Sequence, residues 1–175
     1  VASVHLVCGS TGAGKTTYAK ALAERARGVR FSIDDWMATL FWRDAPPAAS
    51  LDWALERIGR CEEQMLAIAE QLVARGVDVV LDLGLSRREH RDRLRFRALA
   101  LGAEVKMHYL DVDRETRRAR VQRRNTERTG TYAFHVSDEM FDFMESYFET
   151  PSDDELYDAM IVCESEAPGA PGMLF

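Results

Sequence analysis

Two hydrophobic rhythms alternate along the chain. Short β-rich apolar runs are separated by longer segments in which apolar residues recur every three or four positions. The runs predict strands at Ser3–Cys8, Val29–Ile33, Val77–Leu83, Glu104–Leu110 and Ala159–Glu164. The intervening segments predict helices at Lys15–Arg27, Trp36–Trp42, Leu51–Arg75, Arg87–Leu101, Arg114–Glu127 and Ser137–Glu149. The third is the clearest, because Leu51, Leu55, Ile58, Met65, Ala69 and Leu72 form one apolar stripe. Between two of the helices, Asp44–Ser50 carries Pro46 and Pro47 and reads as a loop. Strands alternating with helices in this way predict an α/β protein with a mainly parallel sheet.

Composition narrows this to one globular domain. The chain has 175 residues, 46% of them hydrophobic and 30% charged. A chain of about this size buries roughly 70% of its unfolded surface, enough for a core without disulfides or structural metal. Residues 1–165 are expected to form that domain. Glu166–Phe175, with two Pro and two Gly, is expected to be a flexible tail. Cys8, Cys61 and Cys163 are odd in number and contain no CxxC spacing. They read as small core residues in a reducing, cytoplasmic compartment. No apolar run approaches the roughly 18 residues of a membrane span, and the N-terminus lacks the basic region of a signal peptide.

The net charge of −6 argues against a protein whose main role is to grip long nucleic acid. The charge is nonetheless segregated. From Arg87 to Arg128 Lys and Arg outnumber Asp and Glu two to one, and from Thr129 onward there is no Lys or Arg.

Gly9-Ser10-Thr11-Gly12-Ala13-Gly14-Lys15-Thr16 matches GxxxxGK[ST] and stands between a predicted strand and a predicted helix, the context the motif requires. Glycines let consecutive backbone N–H groups turn inward onto phosphate oxygens, and the helix N-terminus adds partial positive charge. Lys15 can then reach the β- and γ-phosphates, and Thr16 can meet the Mg²⁺ that bridges them. Gly9 through Thr17 are thus the expected ATP·Mg²⁺ contacts. No NKxD segment for guanine is present, and the chain is short for a ring motor. A small phosphoryl-transfer enzyme remains.

Two carboxylate sites are expected to border the loop, since ligands of open α/β sheets sit beyond the carboxyl ends of the strands. Asp34 and Asp35 end the second predicted strand, and Asp82 ends the third. Asp34 is the candidate general base and Asp82 the candidate metal contact. One of the Asp34–Asp35 pair is also expected to cap the helix starting near Trp36. Arg114, Arg117, Arg118, Arg120, Arg123, Arg124 and Arg128 crowd one segment. Among them Arg117, Arg120, Arg124 and Arg128 share a face at i, i+3, i+7 and i+11, the pattern of a basic lid over phosphates. Arg124 and Arg128 are the expected phosphate contacts, and most of the others are expected to be solvated and paired with the following acidic segment. His5, His90, His108 and His135 show no metal-ligand spacing. His5 and His108 read as packing residues.

Taken together, GSTGAGKTTYA, DDW after the second strand, VVLDLGLSRREHR and RRNTERTGTY resemble, over roughly residues 4–149, the P-loop kinases of the polynucleotide 5′-kinase type. These belong to a wider group that includes chloramphenicol phosphotransferases, zeta toxins and nucleotide kinases. The resemblance implies transfer of the γ-phosphate of ATP to a hydroxyl, with Asp34 as base, Arg128 as the lid arginine and Asp82 near the metal. It implies a three-layer P-loop NTPase fold with strand order 2-3-1-4-5 and an Arg-rich lid. It also implies a loop near adenine at Glu149–Glu155. One departure stands out. Where those kinases carry an arginine three residues after the base, this chain has Met37, followed by Phe41 and Trp42. An apolar acceptor pocket built from Trp36, Met37, Phe41 and Trp42 is therefore expected. Such a pocket suits a small-molecule alcohol, with a polynucleotide 5′-hydroxyl kinase and a regulatory ATPase as the competing readings.

Overall fold

The computed structural model describes residues 1–48, 50–127 and 135–163. Five strands, β1 (Ser3–Cys8), β2 (Val29–Ser32), β3 (Val79–Asp82), β4 (Glu104–Asp111) and β5 (Met160–Cys163), form one parallel sheet in the order β2-β3-β1-β4-β5. This is the expected three-layer P-loop fold and order. The chain leaves β1 toward one edge and comes back to its other side at β4, so the connections diverge at the carboxyl end of β1. A crevice opens at such a point in an open parallel sheet.

Helices α1 (Lys15–Ala26), α2 (Ile33–Leu40), α3 (Leu51–Val73), α4 (Arg88–Ala100), α5 (Arg114–Glu127), α6 (Asp138–Tyr147) and α7 (Asp153–Leu156) surround the sheet. Strand alternation divides the core into two faces. Val4, Leu6, Phe31, Val79 and Leu81 pack against Met37 of α2, Met65 of α3 and Leu94 of α4. On the opposite face Val7, Val80 and Leu110 pack against Tyr18, Ala19 and Leu22 of α1. Among the described residues, no helix is long and apolar enough to cross a membrane.

Three local expectations are corrected. Helix α2 begins at Ile33 rather than Trp36, because Ser32 caps it by accepting a hydrogen bond from the Asp35 amide at 3.3 Å. Asp34 and Asp35 therefore cap nothing and stand in the first turn, where carboxylates meet the positive end of the helix. Helix α7, unforeseen in sequence, is nucleated by a Ser152/Glu155 capping box. Cys163 is exposed, while Cys8 and Cys61 are buried as expected. The Glu166–Phe175 tail lies outside the described residues.

His5 and His108 do more than pack. His5 Nδ1 lies 2.9 Å from His108 Nε2, and His108 Nδ1 lies 2.8 Å from the Tyr18 hydroxyl. His5 Nε2 in turn faces the Asp78 carboxylate at 3.8 Å. One proton arrangement satisfies the whole chain: Tyr18 O–H donates to His108, His108 Nε2–H donates to His5, and His5 Nε2–H points at Asp78. The opposite arrangement would aim a lone pair of His5 at a carboxylate. Burial pushes both histidines toward the neutral form, with His108 brought down to about 4.

Candidate active site

The phosphate loop leaves β1 and opens α1. Gly12 and Gly14 hold left-handed backbone, with φ of 83° and 95°, which a residue with a Cβ resists. Gly12 has a second constraint. A Cβ there would sit 2.6 Å from the Arg117 carbonyl oxygen, so the missing side chain is what lets α5 rest on the loop. Within the loop, Lys15 Nζ donates to the carbonyl oxygens of Gly9 at 2.8 Å and Ser10 at 3.1 Å. Burial pushes the Lys15 pKa down, and the charges of Asp82 and Asp34 oppose that shift.

A cavity of about 500 Å³ opens over the loop. Gly9, Ser10, Thr11, Gly12, Gly14, Lys15, Thr16 and Thr17 line it, whereas Ala13 is fully buried beneath. Asp34 and Asp82 face the same space. The two carboxylates differ in their surroundings. Burial pushes the Asp34 pKa up and Asp82 adds to the rise, while Lys15 and Arg124 oppose it. Asp82 Oδ2 accepts from Arg30 Nη2 at 2.7 Å and from Nε at 3.1 Å. Arg30 Nη1 also donates to Asp35 at 2.9 Å. Arg30, not singled out in the sequence, thus fixes Asp82 and joins the end of β3 to the first turn of α2. Its strand position is unremarkable in sequence, and only the β2–β3 register, Ser32 opposite Asp82, reveals the contact.

The donors suit a particular kind of metal. Among the described residues, no cluster of three or more His, Cys, Asp or Glu could hold an ion by itself. The Thr16 hydroxyl and the Asp82 oxygen not engaged by Arg30 fit Mg²⁺ carried on nucleotide phosphates, an ion that keeps several waters and needs one or two protein ligands.

Helix α5 covers the loop. Arg117, one of the four on the shared basic face, is buried: it donates to the carbonyls of Val112 at 2.8 Å and Thr11 at 3.3 Å and pairs with Glu145 of α6 at 2.5 Å. Arg120 donates to the Ala13 carbonyl at 3.4 Å. Arg120, Arg123 and Arg124 all line the cavity. Arg114 and Arg118 pair with Asp142, as the acidic segment after them predicts. The first half of α5 is thus tied to the loop it covers. Asn125 exchanges two hydrogen bonds with the Val136 backbone, at 2.7 and 3.2 Å. This clasp joins the end of α5 to the chain entering α6. Arg128 lies outside the described residues.

The apolar wall is present but built from other elements than expected. Met37 is buried in the core, Trp36 and Phe41 pack against that core, and Trp42 stands against Trp53 with ring centroids 5.5 Å apart. None of the four lines the cavity. Leu51 and Ile58 of α3 and Phe143, Met144, Tyr147 and the adjoining Phe148 do. Helix α6 is anchored to the phosphate loop, where Thr11 Oγ1 donates to Met144 Sδ at 3.2 Å. Phe143 and Tyr147, one turn apart, stack with centroids 6.1 Å apart. Arg87 covers the Tyr147 ring at 5.1 Å while pairing with Glu149 at 2.8 Å.

Glu149–Glu155 is clamped onto α4 instead of bordering the cavity. Arg91 Nε donates to Glu155 at 2.6 Å, Arg88 Nη2 donates to Asp154 at 2.5 Å, and the Glu149 amide donates to the Ser86 carbonyl at 2.8 Å.

Residues 4–151 match the sequence profile of a family described as AAA domain. No curated protein matches the chain in sequence. Solved structures resemble it in fold. A sugar kinase from Janibacter sp. superposes with a TM-score of 0.61 at 16% identity, covering 93% of this chain and 86% of the other. A gluconokinase from Sinorhizobium meliloti 1021 gives 0.58 at 18% identity, covering 93% and 82%. The APS kinase CysC of Mycobacterium tuberculosis, in complex with AMPPNP and APS, gives 0.62 at 15% identity, covering 93% and 88%. At these identities the likeness concerns the fold.

Proposed function

The chain belongs to the AAA domain family, and from that premise we propose that it is an ATP-dependent kinase transferring the γ-phosphate to the hydroxyl of a small molecule. One observation carries the reading: Asp34, a carboxylate with a raised pKa, lines the same cavity as Lys15 and the phosphate loop. A regulatory nucleotide module has no need of such a group. The small-molecule kinases among the structures of like fold support the same reading.

In this mechanism the loop amides and Lys15 hold the β- and γ-phosphates, and Arg120, Arg123 and Arg124 face the negative charge from the opposite wall. Asp34 accepts the proton of the acceptor hydroxyl as its oxygen attacks the γ-phosphorus, and the bond from that phosphorus to the β–γ bridging oxygen breaks to release ADP. The raised pKa makes Asp34 a stronger base than a free carboxylate. Thr16 and Asp82 would hold Mg²⁺, which when bound neutralises charge on the phosphates. Arg128 is proposed to add a further contact to phosphate. Most of the acceleration comes from positioning and electrostatics, because phosphoryl transfer asks little covalent chemistry of the protein.

The test is transfer of label from γ-labelled ATP with Mg²⁺ to pools of nucleosides, sugars, antibiotics and 5′-hydroxyl oligonucleotides. Label on a small molecule, lost in Asp34→Asn, is the expected result. Label on the oligonucleotide would replace the acceptor class, and free phosphate alone in every pool would return the protein to the regulatory reading.

A further inference from the structure

The cavity is divided by charge. All of its lining cations, Lys15, Arg120, Arg123 and Arg124, belong to the phosphate loop and α5. The opposite half, from β2–α2, α3 and the loop after β3, contributes no cation among the described residues, and nor does α6, which spans from the phosphate loop at Thr11 to Arg87 in the loop after β3. Among the described residues its only lining charges are the carboxylates of Asp34 and Asp82. Two arginines near that half are already committed: Arg30 to Asp82 and Asp35, and Arg87 to Glu149 and the Tyr147 ring.

The rest of that half is apolar and ring-bearing. Phe143 and Tyr147 form a two-ring wall whose planes are 19° apart, with Arg87 backing the second ring. Both rings remain partly exposed, Phe143 at 54% and Tyr147 at 43%, although α6 is anchored to the phosphate loop through Met144 beside them. Leu51 and Ile58 also line the cavity. Resting on the kinase reading above, we propose that the acceptor is an uncharged, ring-bearing alcohol, held by stacking on the Phe143–Tyr147 wall with its hydroxyl toward Asp34.

The physical argument is one of exclusion as much as fit. An acceptor with its own carboxylate, sulfate or phosphate would place that anion against two carboxylates in a partly desolvated space, with no lining cation on its side among the described residues. A flexible polyol would leave its hydroxyls unpartnered against apolar side chains. A planar ring loses neither solvation of charge nor hydrogen bonds there, and offset stacking on an aromatic face adds to simple burial.

Thymidine and 2-phenylethanol serve as uncharged ring-bearing probes, against D-gluconate, adenosine 5′-phosphosulfate and a 5′-hydroxyl oligonucleotide. Saturation-transfer NMR reads binding and labelled ATP reads transfer. Phe143→Ala and Tyr147→Ala are compared with Phe96→Ser, a surface change on α4 remote from the cavity, and fluorescent ADP binding verifies that each variant is folded. The expected result is that at least one ring-bearing probe binds, with binding weakened about tenfold in each α6 variant and unchanged in Phe96→Ser. Preference for gluconate, the phosphosulfate or the oligonucleotide would overturn the acceptor class while leaving the kinase reading intact. Binding of a ring-bearing probe without transfer to any acceptor would instead overturn the kinase reading and leave the class standing. Failure of both ring-bearing probes to bind the wild type, or equal binding to the α6 variants, would overturn the class directly.

Discussion

At the scale of single residues, the site depends on atoms that are absent as much as on atoms that are present. Gly12 combines left-handed backbone with a Cβ position 2.6 Å from the Arg117 carbonyl. Gly12→Ala must move either the loop or α5, and it is expected to cost about 2 kcal/mol or more by denaturant unfolding and to weaken ADP binding. Lys15→Ala removes the one lysine of the loop and is expected to lower γ-phosphate transfer by about 10³-fold or more, with fluorescent ADP as the check that the variant is folded. Asp34 predicts a pH dependence. Its pKa is raised by burial and by Asp82, so the protonated, inactive form persists to higher pH than for a free aspartate. The rate of transfer should therefore fall on the acid side with a midpoint above the ordinary carboxylate range. Asp34→Asn should lower the rate by about 10² to 10⁴-fold and flatten that limb.

At the scale of elements, α5 is the unexpected part. Its arginines look alike in sequence, yet tertiary contacts sort them into three kinds. Arg117 is built into the fold, Arg114 and Arg118 pair on the surface with α6, and Arg120, Arg123 and Arg124 face the phosphate site. Arg117→Leu would leave the Thr11 and Val112 carbonyls without their donor and Glu145 without its partner, at a cost of about 3 kcal/mol in urea unfolding. Glu145→Gln retains a neutral acceptor for Arg117 and should cost about 1 kcal/mol. Spacing alone does not sort them. Helical periodicity shows which residues share a face, but not whether that face meets solvent or another element, and here the phosphate loop and α6 both come from elsewhere in the chain.

At the scale of the molecule, the buried Tyr18–His108–His5 chain links α1 to two neighbouring strands and makes stability depend on pH. His108 titrates near 4 when folded and near 6.5 when unfolded, so the unfolded chain binds the extra proton between those values. Stability is full above about 6.5 and is lost as pH falls toward 4, by up to roughly 3 kcal/mol from this residue. Urea unfolding at pH 7, 5.5 and 4.5 should show this loss in the wild type and a shallower one in His108→Gln. The sequence by itself determined the phosphate loop and the neighbourhood of Asp34 and Asp82, and its resemblance to the P-loop kinases implied the sheet order. The first two follow from contiguous chain: an anion nest is made of consecutive amides, and strand ends point at one edge. Only the tertiary structure decided that Ser32 caps α2, that Met37 belongs to the core, that Arg30 holds Asp82, and that the apolar wall comes from α3 and α6. Each of these depends on register or packing between distant segments, and hydrophobic periodicity is the same for a side chain that fills a core as for one that lines a cavity.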